Sequence, residues 1–116
     1  MTDRPIALPV LRQNVDRNAV PQVQVVELTW GDEENLEQIG RPYDIVIGAD
    51  IVYIEDTFAD LLGTVDRVSD DNTTVVLSCR LRYERDRAFL EMFRKRFRVR
   101  LLHESGDVKV FGARKL

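Results

Sequence analysis

An α/β fold with a largely parallel sheet and a closing antiparallel hairpin is what this sequence predicts, and three observations predict it. The apolar runs at Ile45 to Ala49 and Val75 to Ser78 are consecutive rather than alternating, as in strands buried on both faces. Helix-spaced apolar residues follow each run, so strands and helices alternate. The end of the chain reads as two strands around Glu104-Ser105-Gly106-Asp107, a hairpin turn.

Taken in order, Asp3-Arg4-Pro5 reads as a helix start, with Asp3 as cap and Pro5 near the first turn. Ile6, Leu8, Leu11 and Val15 follow at roughly helical spacing, with Pro9 tolerable only in the first turn. Asn18 and Pro21 end this element, and Val23 to Leu28 is a short strand. Gly31 to Pro42 reads as an acidic loop with room for one helical turn. Tyr43 to Asp50 is the first buried strand. Thr57-Phe58-Ala59-Asp60 matches a capping box, and Phe58, Leu61, Leu62, Val65 and Val68 make one helical face behind it. After the turn Asp70-Asp71-Asn72, Thr73 to Cys79 is the second buried strand. Tyr83 to Arg96 is a helix with Phe89, Leu90 and Phe93 on one side, continued by Phe97, and with Glu91 and Lys95 as a surface pair. Phe97 to His103 and Val108 to Arg114 form the hairpin.

Composition narrows the function. With 116 residues the chain makes one ordinary domain at most. Its 44% hydrophobic and 32% charged residues suit a folded protein. No apolar run approaches the ~20 residues that cross a bilayer, so no membrane is expected as partner. The N-terminus MTDRPIALPV does not read as a secretory signal. A single cysteine, Cys79, excludes an internal disulfide and a cysteine-based zinc cage, and fits a reducing compartment. A single histidine, His103, excludes any site needing two. The net charge of -3 speaks against nucleic acid. Asp32 to Asp56 holds eight acids against Arg41 alone, whereas Arg80 to Arg100 holds nine bases against three acids. These are either two solvated faces or, for the first, an acidic rim that attracts a cationic substrate such as a lysine side chain.

Open α/β sheets take ligands at the carboxyl ends of their strands. That rule singles out Asp50 and Tyr53 after the first buried strand, Cys79 and Arg80 after the second, and Trp30-Gly31 after the short strand. Asp50 either braces its loop or faces a ligand. Tyr53 and Trp30 are packing residues or site walls. Cys79 reads as an inert core thiol, and His103 as a surface residue. No phosphate-cradling glycine motif occurs among the six glycines.

Three segments carry a resemblance: Glu27-Leu28-Thr29-Trp30-Gly31, Tyr43 through Tyr53, and Cys79-Arg80-Leu81-Arg82-Tyr83-Glu84-Arg85-Asp86. Together they resemble methyltransferase family 16, the seven-β-strand, S-adenosylmethionine-dependent protein methyltransferases. The nearest look-alikes are lysine methyltransferases acting on heat-shock and related ATPase chaperones. The resemblance implies roles residue by residue. Asp3 is similar to the acid that ends the family's second strand and binds the cofactor ribose. Trp30 looks like the tryptophan beside the adenine, and Ala49 matches a position whose backbone lines the cofactor. Asp50 and Tyr53 match the motif at the mouth of the lysine channel. It also implies a protein partner of chaperone type that offers a lysine, and a cytoplasmic location.

The chemistry suits those residue types. Methyl transfer from a sulfonium is an in-line displacement, in which the protein chiefly positions two partners. The attacking lysine must be neutral, although its reference pKa is ~10.4, and a desolvating aromatic wall lowers that value. Asp50 is therefore assigned to orientation and proton acceptance, and Tyr53 to wall and hydrogen-bond partner.

The chain resembles the C-terminal portion of the family. It is expected to be a single partial domain over 1–116, with an N-terminal helix, strand and acidic loop over 1–42 and a strand-helix-strand-helix-hairpin over 43–116. The expected fold is a Rossmann-like seven-β-strand fold that is incomplete, lacking the first strand, the first helix and the glycine loop. The strand from Tyr43 to Asp50 is then left with an exposed apolar edge, a route to self-association. The function expected is S-adenosylmethionine-dependent protein-lysine N-methylation, with the isolated chain a truncated form that is weak or inactive. The alternative is an inactive truncated product that acts only as a protein-interaction module.

Overall fold

The computed structural model describes residues 1–40 and 42–116. They fall into two units, Met1–Gly40 and Arg41–Leu116.

The first unit opens on a strand, β1 (Thr2–Asp3), which runs parallel to β2 (Val26–Glu27). Asp3 is thus not a helix cap. Its Oδ1 accepts the amide of Arg4 at 2.7 Å, and its carbonyl accepts the amide of Leu28 at 2.8 Å. The reason is local: Pro5 disfavours helical backbone in the residue before it. Arg4 is accordingly extended and takes the N-cap position of a 3-10 turn, Pro5–Ala7. Helix α1 (Leu8–Arg17) follows, with Pro9 in its first turn, where a missing N–H breaks no helical bond. The strand expected over Val23 to Leu28 is only the two residues of β2. The acidic segment is a helix rather than a loop. Asp32 caps α2 (Glu33–Ile39) by accepting the Asn35 amide at 3.1 Å. Gly40, at φ +82, ends it in a backbone region that glycine enters freely.

In the second unit β3 (Ile45–Ala49), α3 (Phe58–Arg67), β4 (Thr74–Arg80), α4 (Glu84–Arg96), β5 (Phe97–Ser105) and β6 (Val108–Lys115) build one four-stranded sheet, in the order β3-β4-β6-β5. β3 and β4 are parallel; β6 is antiparallel to both β4 and β5. The hairpin turns through Gly106, at φ +60, and Asp107, and its strands are longer than the sequence pattern suggested.

The core lies on one face of this sheet. Val75, Leu77 and Cys79 alternate inward along β4, and the helical face Phe58, Leu61, Leu62, Val65 and Val68 is buried with them. Phe58, Phe89, Phe93 and Phe97 follow one another at ring-centroid distances of 5.2, 5.7 and 5.1 Å, mostly edge to face. Each such pair contributes about 0.5–1.5 kcal/mol beyond its area burial. Thr73 ties the start of both parallel strands. Its buried hydroxyl donates to the Tyr43 carbonyl at 2.5 Å and accepts the Asp70 amide at 2.9 Å.

Three expectations are corrected here. β3 is not buried on both faces: Ile45 is 65% and Ile47 77% exposed. Both helices of the unit lie on the Val75–Leu77 face, so the consecutive apolar run finds cover on one side only. Thr57 does not cap α3; its hydroxyl donates instead to the Ile54 carbonyl at 2.6 Å, within a 3-10 turn over Glu55–Thr57. Glu91 pairs with Arg94 at 3.4 Å, one position earlier than the expected Lys95. Among the described residues no helix is long and apolar enough to cross a membrane.

Candidate functional site

The carboxyl end of β3 is built around a backbone reversal. Ala49 is the last paired residue, opposite Ser78, and the Asp50 amide donates to the Ser78 carbonyl at 3.0 Å. Asp50 then adopts φ +57, the left-handed region, which Asp tolerates better than most residues because its short polar side chain bonds locally. The chain leaves the sheet sharply there. Val52 plugs back into the core, while Tyr53, 48% exposed, and Ile54 face outward. The result is a carboxylate and a phenol three residues apart, both open to solvent, on a turn fixed by one buried anchor. Among the described residues no cation pairs with the Asp50 carboxylate.

The end of β4 is held differently. Cys79 points inward; burial, with a smaller push from the Asp86 charge, raises its thiol to about 11. At neutral pH that is an inert thiol. Arg80 is exposed. Beyond it the Leu81 amide donates to the Asp107 carbonyl at 2.9 Å, and Arg82 Nε meets Asp107 Oδ2 at 2.5 Å. Asp86 is buried and its Oδ2 accepts the amides of Arg82 and Tyr83 at 3.1 and 3.0 Å. Arg85 lies over the Tyr83 ring, 4.9 Å from its centroid. Thus one buried carboxylate orders the loop before α4, and the hairpin turn is latched to it. The bond to Asp107 raises the Arg82 guanidinium above its usual value, with Asp50 a minor contributor; reciprocally, Arg82 holds the Asp107 carboxyl below the carboxylate range.

Ala49, Asp50 and Tyr53 therefore lie at one sheet end, alongside a latched loop that sequence reasoning quoted as a motif without giving it a task. The signal for it was an acid, Asp86, at the third position of a helix. Asp3 and Trp30 belong to the first unit. Asp3 ends β1 with its Oδ2 accepting from no described residue, and Trp30 is half-buried after β2. The adjacent Thr29 amide is held by Asn35 Oδ1 at 2.9 Å. S-adenosylmethionine is the cofactor that the resemblance implies. An open carboxylate suits its ribose hydroxyls and an indole its adenine. The small Ala49, at a strand end, leaves backbone approachable. No glycine-rich run of amides suited to its methionine carboxylate occurs among these residues.

Comparisons with known proteins bear on the family of the chain and on its fold. A family model described as "Lysine methyltransferase" matches residues 1–96. Protein N-lysine methyltransferase METTL21A of Danio rerio is 48% identical over 120 residues, which are 97% of this chain and 54% of that protein. The Mus musculus protein of the same name is 43% identical over 99% of this chain and 55% of its own length. EEF1A lysine methyltransferase 3 of Mus musculus is 34% identical over 95% of this chain and 48% of its own. The chain thus spans about half the length of the curated relatives it matches. Among solved structures, an O-methyltransferase family protein from Burkholderia thailandensis superposes with a TM-score of 0.76 at 10% identity, over 98% of this chain and 42% of the other. A TehB-like SAM-dependent methyltransferase from Corynebacterium glutamicum gives 0.70 at 17% identity, over 99% and 66%. At such identities the likeness is one of fold.

Proposed function

The chain belongs to the lysine methyltransferase family, and on that premise we propose that it serves the transfer of a methyl group from S-adenosylmethionine to a protein lysine. Its substrate protein is of the ATPase chaperone class, and its place of work is the cytoplasm. The observation that carries the reading is the Asp50 turn, where the sheet ends in a carboxylate that no cation among the described residues pairs with, and an exposed tyrosine follows three residues on.

The residues divide the work as follows. When bound, S-adenosylmethionine supplies an electrophilic methyl on a sulfonium. Asp3 holds the ribose and Trp30 the adenine, while the backbone at Ala49 lines the cofactor. Asp50 receives the incoming ammonium of the lysine and fixes its direction. An ammonium has no lone pair to attack with, so a proton must leave it first; Asp50 accepts that proton or passes it to solvent. Tyr53 removes water from one side of the amine and so favours the neutral form. Proximity and in-line alignment do the rest.

By themselves these 116 residues bind the cofactor weakly. Each charge-assisted bond to its carboxylate that is not made, at about 1.5–3 kcal/mol, corresponds to roughly tenfold or more in affinity. Calorimetric titration with S-adenosylhomocysteine tests the reading without turnover. Weak saturable binding that disappears in Asp3→Ala and in Trp30→Ala is expected. Binding indifferent to both substitutions would remove the assigned cofactor residues. For the lysine side, Asp50→Asn keeps a side chain suited to the left-handed turn while removing the charge; it should abolish methylation and leave S-adenosylhomocysteine affinity unchanged.

A further inference from the structure

We propose that the open face of the β5–β6 hairpin, where Arg98, Arg100 and Arg114 stand together, is a docking surface for an extended acidic segment of a partner protein. The surface lies beside Thr74 at the start of β4, whereas Asp50 lies beyond Ser78 near its end. The proposal therefore does not depend on the methyl-transfer reading.

Register puts the three side chains on one face. Arg98 and Arg114 are direct cross-strand partners, and Arg100, two residues further along β5, lies opposite Gly112. Their neighbours Phe97, Phe111 and Ala113 are buried on the helix side, so the arginines point the other way. All three are exposed. Arg114 Nη2 donates to the Thr74 hydroxyl at 3.4 Å, but none of the three forms an ion pair among the described residues. The other end of the same hairpin is built differently. There Glu104 and Lys109, also direct partners, form an ion pair at 2.8 Å. Opposite charges across a strand pair support it, and like charges directly opposed weaken it. The hairpin thus carries a favourable pair at one end and an unfavourable one, backed by a third arginine, at the other. A ligand that brings negative charge there turns repulsion into attraction.

The chemistry of the occupant follows from spacing and surroundings. Residues i and i+2 of a strand lie ~6.6 Å apart, and an extended chain repeats its own side chains at that interval. Acids at alternate positions therefore meet Arg98 and Arg100 in register, each guanidinium offering a fork that matches a carboxylate. Single-stranded nucleic acid is also anionic, but it is held by aromatic platforms. The exposed aromatic residues here, Tyr43, Tyr53 and Tyr83, all lie outside the hairpin. A second copy of this chain offers the acids of α2, yet Glu33, Glu34 and Glu37 sit on a helix and lack the alternate spacing. The segment lies across the face rather than lengthening the sheet. β5 is an edge strand, and its register shifts between Leu101 and His103; such a bulge spoils an edge for further pairing. The side chain of Leu102 folds over Gly112, where an added Cβ would meet it at 2.9 Å. It remains half-exposed and forms an apolar shelf beside Arg100 for the segment's aliphatic stems.

The test is fluorescence anisotropy of a labelled peptide of alternating glutamate and threonine, titrated with the 116-residue chain at low salt. Saturable binding that weakens as salt rises is expected. It should fall roughly tenfold when Arg98→Glu and Arg100→Glu are combined, since each reversal replaces an attraction by a repulsion. It should be kept in Arg98→Lys and unchanged in Arg87→Glu, which alters an exposed arginine of α4. Thermal melting gives a second readout. Arg98→Glu alone turns the like pair with Arg114 into an opposite pair, so it should raise the melting temperature while it weakens the peptide. Any of these results would overturn the proposal: no saturable binding, binding indifferent to the double substitution, or a melting temperature that Arg98→Glu leaves unchanged or lowers. Tighter binding of a labelled single-stranded oligonucleotide at the same three arginines would make the partner a nucleic acid instead. Self-association of the chain that the double substitution abolishes would make it a second copy, and either outcome refutes an acidic protein segment.

Discussion

The two faces of the four-stranded sheet carry similar residues and meet opposite fates. On one, Val75 is 0% exposed and the phenylalanine series of α3, α4 and β5 is sealed against it. On the other, Ile45 and Ile47 stand in water. Both strands are equally β-branched, so composition does not distinguish the faces. What does is the pair of helices, which pack on one side alone. Hydrophobicity thus marks surface that is fit for burial, and topology decides which of it is buried.

The largest test of that contrast is Phe93→Ala, at the middle of the aromatic series. Removing it should lower stability by about 3–5 kcal/mol in urea denaturation; a loss below about 1 kcal/mol would mean that the closed face is not a packed core. Thr73→Val comes next. It removes the hydroxyl that bonds the Tyr43 carbonyl and the Asp70 amide at the base of the parallel pair, at about 1–3 kcal/mol, and Thr73→Ser should recover most of it. Cys79 sharpens the comparison by pH. Its thiol sits near 11 folded against an ordinary 9.0, so it stays neutral in the fold where the unfolded chain would ionise. Its contribution is full below pH 9 and is lost as pH rises from about 9 to about 11. Cys79→Ala should flatten that alkaline limb, and thiol reagents should react slowly at pH 7. The smallest effect belongs to the open face: Ile47→Lys should leave stability within about 0.5 kcal/mol of the parent chain. A loss like that of Phe93→Ala would erase the distinction between the faces.

Much of the second unit was legible because its signals are periodic. Phe58, Leu61, Leu62, Val65 and Val68 repeat at helical spacing, and all five are buried. The first unit was less so. A strand of two residues, Thr2–Asp3, has no period to read, and its partner lies 24 residues on. Helix α2 did announce itself, with Asp32 before it, Glu33 and Glu34 in its first turn and Gly40 after it; the acid run drew attention to charge instead. At the site, the strand-end rule reached Asp50 and Tyr53. It could not reach the left-handed backbone of Asp50, nor the bond between Arg82 and Asp107, which joins residues 25 apart in sequence.

The strand order has a consequence for synthesis. β6 is made after β4 and β5, yet it lies inside the sheet, between the two. Until residues 108–115 have emerged, β4 lacks its second neighbour and β5 has no partner at all. Chain growth proceeds at about 5–20 residues per second. Throughout that interval the parallel pair β3–β4 is a two-stranded ribbon, a structure marginal in water. Productive folding of this unit therefore waits for residues 108–115. A nascent chain stalled before Val108 would present β4 as a second sticky edge, and would be expected to engage chaperones that the finished unit does not.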